Sequence, residues 1–245
     1  MHRFFVSPEG ISDKTVTLTG SDANHIRTVL RMKPGDRIGV IDGDGMQYEV
    51  SLTEVARAAV RGDILSKAAL ATESPVRIAM GQALMKGNAF DPLVRKAAEL
   101  GVHSITALKT ERCVARLAED SGRKRTERWQ RIAGEASKQC GRAQVPKVHS
   151  TVLSVAEFCK RFADCDLKLV FWEDEPKTRL QDISTPGLVS SIAFVAGPEG
   201  GWTQEEIDVL RQQGFHTVRL GPRLLKADSV SLVILSLLQH RWGDL

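Results

Sequence analysis

Apolar and polar residues alternate with a period of two through Tyr48, Val50 and Leu52, and a second β-prone run, Arg37 to Ile41, lies on the other side of Asp42-Gly43-Asp44-Gly45. Two such runs around a glycine-rich turn predict a hairpin with one buried face. The first 72 residues therefore read as a small β domain. Ala71-Thr72-Glu73-Ser74-Pro75 follows as a short linker, and beyond it the pattern changes to strands alternating with helices. Arg77 to Leu84, Ser104 to Leu108, Leu167 to Trp172, Ile192 to Ala196 and Thr217 to Leu220 predict strands. Between them, one predicted helix has Asp91 as N-cap, Pro92 at its first position and Gly101 past its end, with Phe90, Leu93, Val94, Ala97 and Ala98 on one face. Another runs from about Thr126 to Cys140 and turns Trp129, Ile132, Ala133 and Ala136 to one side. Thr203 and Glu206 form a capping box for a helix that Gly214 ends, and an apolar helix closes the chain. This alternation predicts an α/β domain from residue 73 to 245, with a mostly parallel sheet and helices on both faces.

Composition adds limits. A hydrophobic share of 42% and a charged share of 26% over 245 residues are those of an ordinary globular protein. The first residues carry no apolar run before a small-residue cleavage site, so a cytoplasmic protein is expected. The apolar stretch Val230 to Leu238 falls far short of the roughly 20 residues that a membrane span needs. Cys113, Cys140, Cys159 and Cys165 form no C-x-x-C pair and no two histidines sit at ligand spacing, so neither a metal nor a disulfide framework is expected.

The sharpest chemical signal is Gly197-Pro198-Glu199-Gly200-Gly201, placed between a predicted buried strand and the capped helix. Glycines there let a backbone approach a ligand, and the carboxyl ends of parallel strands are where α/β sheets bind small molecules. Leu220-Gly221-Pro222-Arg223-Leu224-Leu225 holds the equivalent place after the next strand, and two such loops side by side could form one pocket. Neither loop matches a dinucleotide fingerprint or a phosphate-cradling loop, so the pocket they predict suits a nucleoside held by backbone groups. A tight structural turn is the plainer alternative for either loop.

Charge is uneven. Arg112, Arg116, Arg123, Lys124, Arg125, Arg128, Arg131, Lys138, Arg142 and Lys147 face only Glu119, Asp120, Glu127 and Glu135 in the same stretch, a local excess of six positive charges. Such a cluster attracts a phosphate backbone, or it is a solvated helix face. Beside a nucleoside pocket it points to RNA.

Taken together, the chain resembles the ribosomal RNA small-subunit uridine-N3 methyltransferases, the RsmE family of the knotted SPOUT superfamily. In the first domain the resemblance rests on Arg3-Phe4-Phe5, His25, Leu30-Arg31, Gly35-Asp36 and Asp42-Gly43. In the second it rests on Lys86, Lys96 to Gly101, Glu111-Arg112, Glu135-Ala136 with Gln139 and Arg142, Gly197 to Gly201 and Leu220 to Arg223. It departs where the family continues Arg-x-Glu-Thr-Ala, since this chain has Lys226-Ala227-Asp228-Ser229-Val230.

The resemblance implies a PUA-like β-barrel over residues 1–72, a trefoil-knotted SPOUT domain over 73–245, a homodimer and S-adenosylmethionine as cofactor. It implies methylation of uridine N3 in 16S ribosomal RNA of the small subunit. The cofactor would lie against Phe171, Trp172, Glu173, Ala196, Gly197, Pro198, Glu199, Gly200, Gly201, Leu220, Gly221, Pro222, Leu224 and Leu225. RNA would meet Arg3, His25, Arg31, Lys86, Arg112, Arg123, Lys124, Arg125, Arg128 and Arg142. Uracil N3 carries a proton near neutral pH, so methylation needs an acceptor for it and positive charge near the two carbonyls. Glu199 is the candidate for the proton, its alternative role being a loop carboxylate satisfied by backbone amides, with Arg142, Arg112 or Arg223 near the base or its phosphate. Another SPOUT enzyme acting on a ribose 2′-hydroxyl or on transfer RNA is the alternative, and a non-catalytic RNA-binding protein a third class.

Overall fold

In a computed structural model, which describes residues 1–113, 119–185 and 187–245, with the side chains of residues 119–121 left undescribed, the chain divides into two compact units. Arg116 lies outside the described residues.

The first unit comprises Met1–Glu73 and Ser137–Val145. Its strands are β1 (Arg3–Phe5), β2 (Thr15–Thr19), β3 (Arg37–Ile41), β4 (Met46–Val55) and β5 (Ala59–Ala69), in the sheet order β1-β3-β4-β5-β2. The predicted hairpin is β3 and β4, paired antiparallel with Val40 opposite Tyr48. Asp42 organises its turn: Oδ1 accepts the amides of Asp44 and Met46, and Oδ2 accepts the Tyr48 hydroxyl. Burial, together with the Asp42 charge, pushes the Tyr48 phenol above its ordinary value. The core holds Phe4, Val16, Leu18, Ile26, Ile38, Val40, Val50, Leu52 and Val60. A short helix α1 (Gly20–Asn24) continues into a π-helical turn at His25–Val29.

A cut near residue 72 misses the return of 137–145 to this unit. Glu73 draws it in. Its carboxylate accepts the amides of Ala143 and Gln144 and pairs with Arg142 at 2.5 Å, while Thr72 Oγ1 accepts the Ala143 amide as well.

The second unit comprises Ser74–Ala136 and Pro146–Leu245. Its strands are β6 (Arg77–Ala83), β7 (Ser104–Lys109), β8 (Lys147–Val148), β9 (Leu153–Ser154), β10 (Leu167–Phe171), β11 (Ser191–Ala196) and β12 (His216–Val218). They pair in parallel in the order β12-β10-β11-β6-β7-β8, with β9 also against β7. The central strands are buried along almost their whole length, as a parallel sheet covered on both faces requires. The helices are α2 (Phe90–Glu99), α3 (Glu119–Cys140, whose last four residues belong to the first unit), α4 (Val155–Arg161), α5 (Gln204–Gln212) and α6 (Ala227–Trp242). The capping box of Thr203 and Glu206 opens α5.

Asp91 is not a cap. Ala89 holds the N-cap position of α2, and Asp91 instead accepts the Trp129 indole N–H at 3.0 Å and an Arg128 N–H at 2.5 Å. A buried indole donor needs an acceptor, and that demand outweighs the local capping preference. The closing helix is buried through Ala227, Ser231, Ile234, Leu235, Leu238 and Gln239, and leaves Val233 and Leu237 more than a third exposed. Among the described residues no helix is long and apolar enough to cross a membrane.

Candidate active site

At the carboxyl ends of β10, β11 and β12 the sheet opens into a cavity of about 590 Å³. Parallel strands send their loops out on one side, so loops far apart in sequence meet there. Phe171, Trp172 and Glu173 supply one part of the wall, Ala196, Gly197, Pro198, Glu199 and Gly201 a second, and Leu220, Gly221, Arg223, Leu224 and Leu225 a third. Of the residues expected to hold a cofactor, only Gly200 and Pro222 are off this wall. Sequence reasoning missed Met85, Ala89, Val218, Arg219 and the start of the last helix, Lys226 to Asp228 with Val230. The signal for the last group was available, because Lys226 and Asp228 directly follow the second Gly-Pro loop.

Beneath the wall the loops are fixed by buried groups. Trp202 is 3% exposed and donates its indole N–H to the Phe171 carbonyl at 3.1 Å; a Cβ on Gly197 would stand 3.0 Å from that nitrogen. Gln82, fully buried in β6, donates to the carbonyls of Ala83 and Gly197 and accepts the Ser231 hydroxyl of α6. One buried amide thus joins the 197 loop to the helix that carries Asp228. Gly201 has φ of +70°, and the place of its missing Cβ is occupied by the Glu173 carboxylate. A side chain there would be both strained and obstructed. Gly200 faces the other way, where a Cβ would stand 3.0 Å from Arg112 Cβ. The missing side chain leaves room for the close approach of Arg112.

The catalytic candidates separate. Glu199 and Arg223 both line the cavity and are exposed. Arg142 belongs to the first unit, where it is 6% exposed and clamped on Glu73, so its side chain serves a buried ion pair there. The RNA candidates are mostly exposed: Arg3, His25, Arg31, Lys86, Arg112, Arg123, Lys124 and Arg128 stand in solvent, and Arg125 is half-buried. Arg31 has φ of +53°. A non-glycine residue there costs about 1–2 kcal/mol, and the Met32 amide, bonded to the Ile26 carbonyl at 3.1 Å, holds the turn in place. Part of the α3 charge is already neutralised, since Arg123 pairs with Glu127 and Arg128 with Asp91. Lys124 and Arg125 make no ion pair among the described residues.

An RNA methyltransferase domain family matches residues 72–239, and an RNA methyltransferase PUA domain matches residues 18–64. The first match covers well over half of the chain. The chain belongs to this RNA methyltransferase family. Among its relatives is the ribosomal RNA small subunit methyltransferase E of Bacillus subtilis, 31% identical over 98% of this chain and 97% of that one. The enzyme of the same name from Synechocystis is 32% identical, over 96% of this chain and 76% of its own. A solved structure of the Neisseria gonorrhoeae enzyme of that name, bound to S-adenosylmethionine, superposes with a TM-score of 0.88 at 33% identity and covers 100% of this chain and 99% of that one. The family membership accounts for both units at once: a PUA domain ahead of an α/β methyltransferase domain.

Proposed function

We propose that this chain is an S-adenosylmethionine-dependent methyltransferase that modifies uridine N3 in 16S ribosomal RNA, in the cytoplasm. The observation that carries the reading is the cavity between the two Gly-Pro loops. Its volume suits a nucleoside-sized ligand, and its wall is apolar with a few polar groups, as small-molecule sites are. Phe171, Leu220 and Leu225 offer apolar surface to an adenine, and the backbone at 196–201 and 219–221 offers hydrogen bonds. Glu173 offers negative charge to a cofactor that carries a sulfonium and an ammonium. When bound, S-adenosylmethionine supplies an activated methyl group.

The chain has the rest to do. Holding base and donor in line provides much of the rate. The N3 proton goes to a carboxylate on the cavity wall, where Glu173, Glu199 and Asp228 stand, and Arg223 on the same wall supplies positive charge as the uracil carbonyls become more negative. RNA is gathered by the basic face of α3 and positioned through Arg3, His25 and Arg31 of the first unit. The trefoil knot and the homodimer belong to the same reading. Leu224 is 82% exposed, and Leu225, Val233 and Leu237 are each more than a third exposed, apolar surface that a second copy would bury. Light scattering at 26.9 kDa would overturn the dimer.

The test of the function is to incubate the protein and cofactor with small ribosomal subunits from cells lacking the gene and to analyse the nucleosides. One 3-methyluridine in 16S RNA is expected; a 2′-O-methyl product, or methylation of transfer RNA alone, would overturn the assignment.

A further inference from the structure

Three carboxylates line the cavity, and they are not held alike. Glu199 Oε1 accepts the backbone amide of Lys86 at 3.1 Å. Lys86 lies in the turn after β6, and its neighbours Met85 and Ala89 form part of the same wall. The glycine loop is stitched a second time by Arg112, whose Nη1 donates to the Gly200 carbonyl at 3.2 Å. A third stitch follows at the start of α5, where Glu206 accepts the Glu111 amide at 2.9 Å. Loop 197–201 is thereby tied to the turns after β6 and β7. Glu173 fills the space over Gly201. Asp228 differs from Glu199 in being tied to no distant segment: it stands in the first turn of α6 and its Oδ1 accepts the hydroxyl of its own neighbour Ser229 at 3.0 Å, while its Oδ2, like Glu199 Oε2, has no hydrogen-bond partner among the described residues.

A carboxylate that fixes a loop and one that removes a proton have different requirements. The first needs only an acceptor oxygen in place; the second needs a negative charge and an oxygen open to the substrate. We propose that Glu199 is a positioning residue, bracing the turn at Lys86 against the glycine loop, and that Asp228 is the carboxylate that accepts the uracil N3 proton. The inference rests on the reading of this cavity as the methyltransferase site. In the step, the proton leaves N3 for Asp228 and then solvent, the N3 electron pair forms the bond to the methyl carbon, and the carbon–sulfur pair stays with sulfur.

The test uses the full chain, with calorimetry of S-adenosylmethionine binding and single-turnover methylation of small subunits from cells lacking the gene. Glu199→Ala should weaken cofactor binding by about 10-fold, the effect of losing one hydrogen bond to a charged group. Glu199→Gln, which keeps a carbonyl acceptor for the Lys86 amide, should rescue that loss to within about threefold of the original. Asp228→Asn should bind cofactor within about threefold of the original yet methylate about 100-fold more slowly or worse, and lose the acid limb of the pH–rate profile. If Glu199→Gln binds cofactor normally but loses about 100-fold in rate, Glu199 is the proton acceptor and the proposal is wrong. An undiminished rate in Asp228→Asn would equally overturn it. Failure of the unaltered chain to bind S-adenosylmethionine would instead bring down the parent reading, and this inference with it.

Discussion

The cavity wall and the outer face of α3 differ in what holds them. The wall is shaped by backbone, and groups lying underneath it set that backbone in place: the Trp202 indole, the Gln82 amide and the left-handed turn at Gly201. The α3 face is shaped by long exposed side chains, some tied in surface ion pairs worth little individually. A site that must hold one small molecule in line with a reacting atom needs the first construction. A surface that gathers a polyanion needs only charge, and tolerates variation in where each charge sits. Substitutions in the two regions should therefore fail differently, in stability and cofactor affinity on one side and in salt dependence on the other.

The largest effect is expected at Trp202. Trp202→Ala removes a buried aromatic and the donor to the Phe171 carbonyl, and should cost about 3–5 kcal/mol in denaturant unfolding, with cofactor binding lost as well. Gly201→Val should cost about 1–3 kcal/mol for a β-branched residue in the left-handed region, and should displace Glu173 from the wall. Unchanged calorimetric binding in that variant would mean the cavity is not where the cofactor sits. A smaller effect concerns how α3 is seated. Gln130 and Thr126 of α3 bond the backbone at Pro146, Val148 and Ser150, around His149. Burial first, then the charges of Arg161 and Lys147, lower the His149 pKa to about 4. The folded value lies below the ordinary 6.5, so the folded chain resists protonation, and stability should fall as pH drops from about 6.5 towards about 4. His149→Gln should flatten that part of the pH profile measured by unfolding. The smallest change in stability, within about 0.5 kcal/mol, is expected on replacing Arg123, Lys124 and Arg125 with alanine. RNA binding should nevertheless weaken, with its logarithmic salt slope reduced by up to about 0.7 to 0.9 for each phosphate that is no longer neutralised. Cofactor affinity should persist, and an unchanged slope would remove α3 from the RNA surface.

The same contrast explains what could be read from the residues alone. Local rules were sufficient for the hairpin at Asp42 to Met46, for the capping box at Thr203 and for both Gly-Pro loops, because each is specified by neighbours within a few positions. They were insufficient wherever a distant partner decides. Asp91 has the sequence position of a cap, but the Trp129 indole and Arg128, 38 and 37 residues away, claim its carboxylate. Gln82 sits in a run that reads simply as a buried strand, and nothing local announces its bonds to Gly197 and Ser231. The return of 137–145 to the first unit depends on Glu73, about 70 residues earlier. Arg142 was read by its charge, whereas the structure uses it for that buried pair. β1, only three residues long and parallel to β3, has too little length for periodicity to reveal it.

A crystal structure of the chain grown with S-adenosylmethionine tests the account most directly. Density for the cofactor is expected between the loops at 196–201 and 219–225, with the adenosine against Phe171 and Leu220. Cofactor bound elsewhere on the chain, or a cavity that stays empty at saturating concentrations, would contradict it.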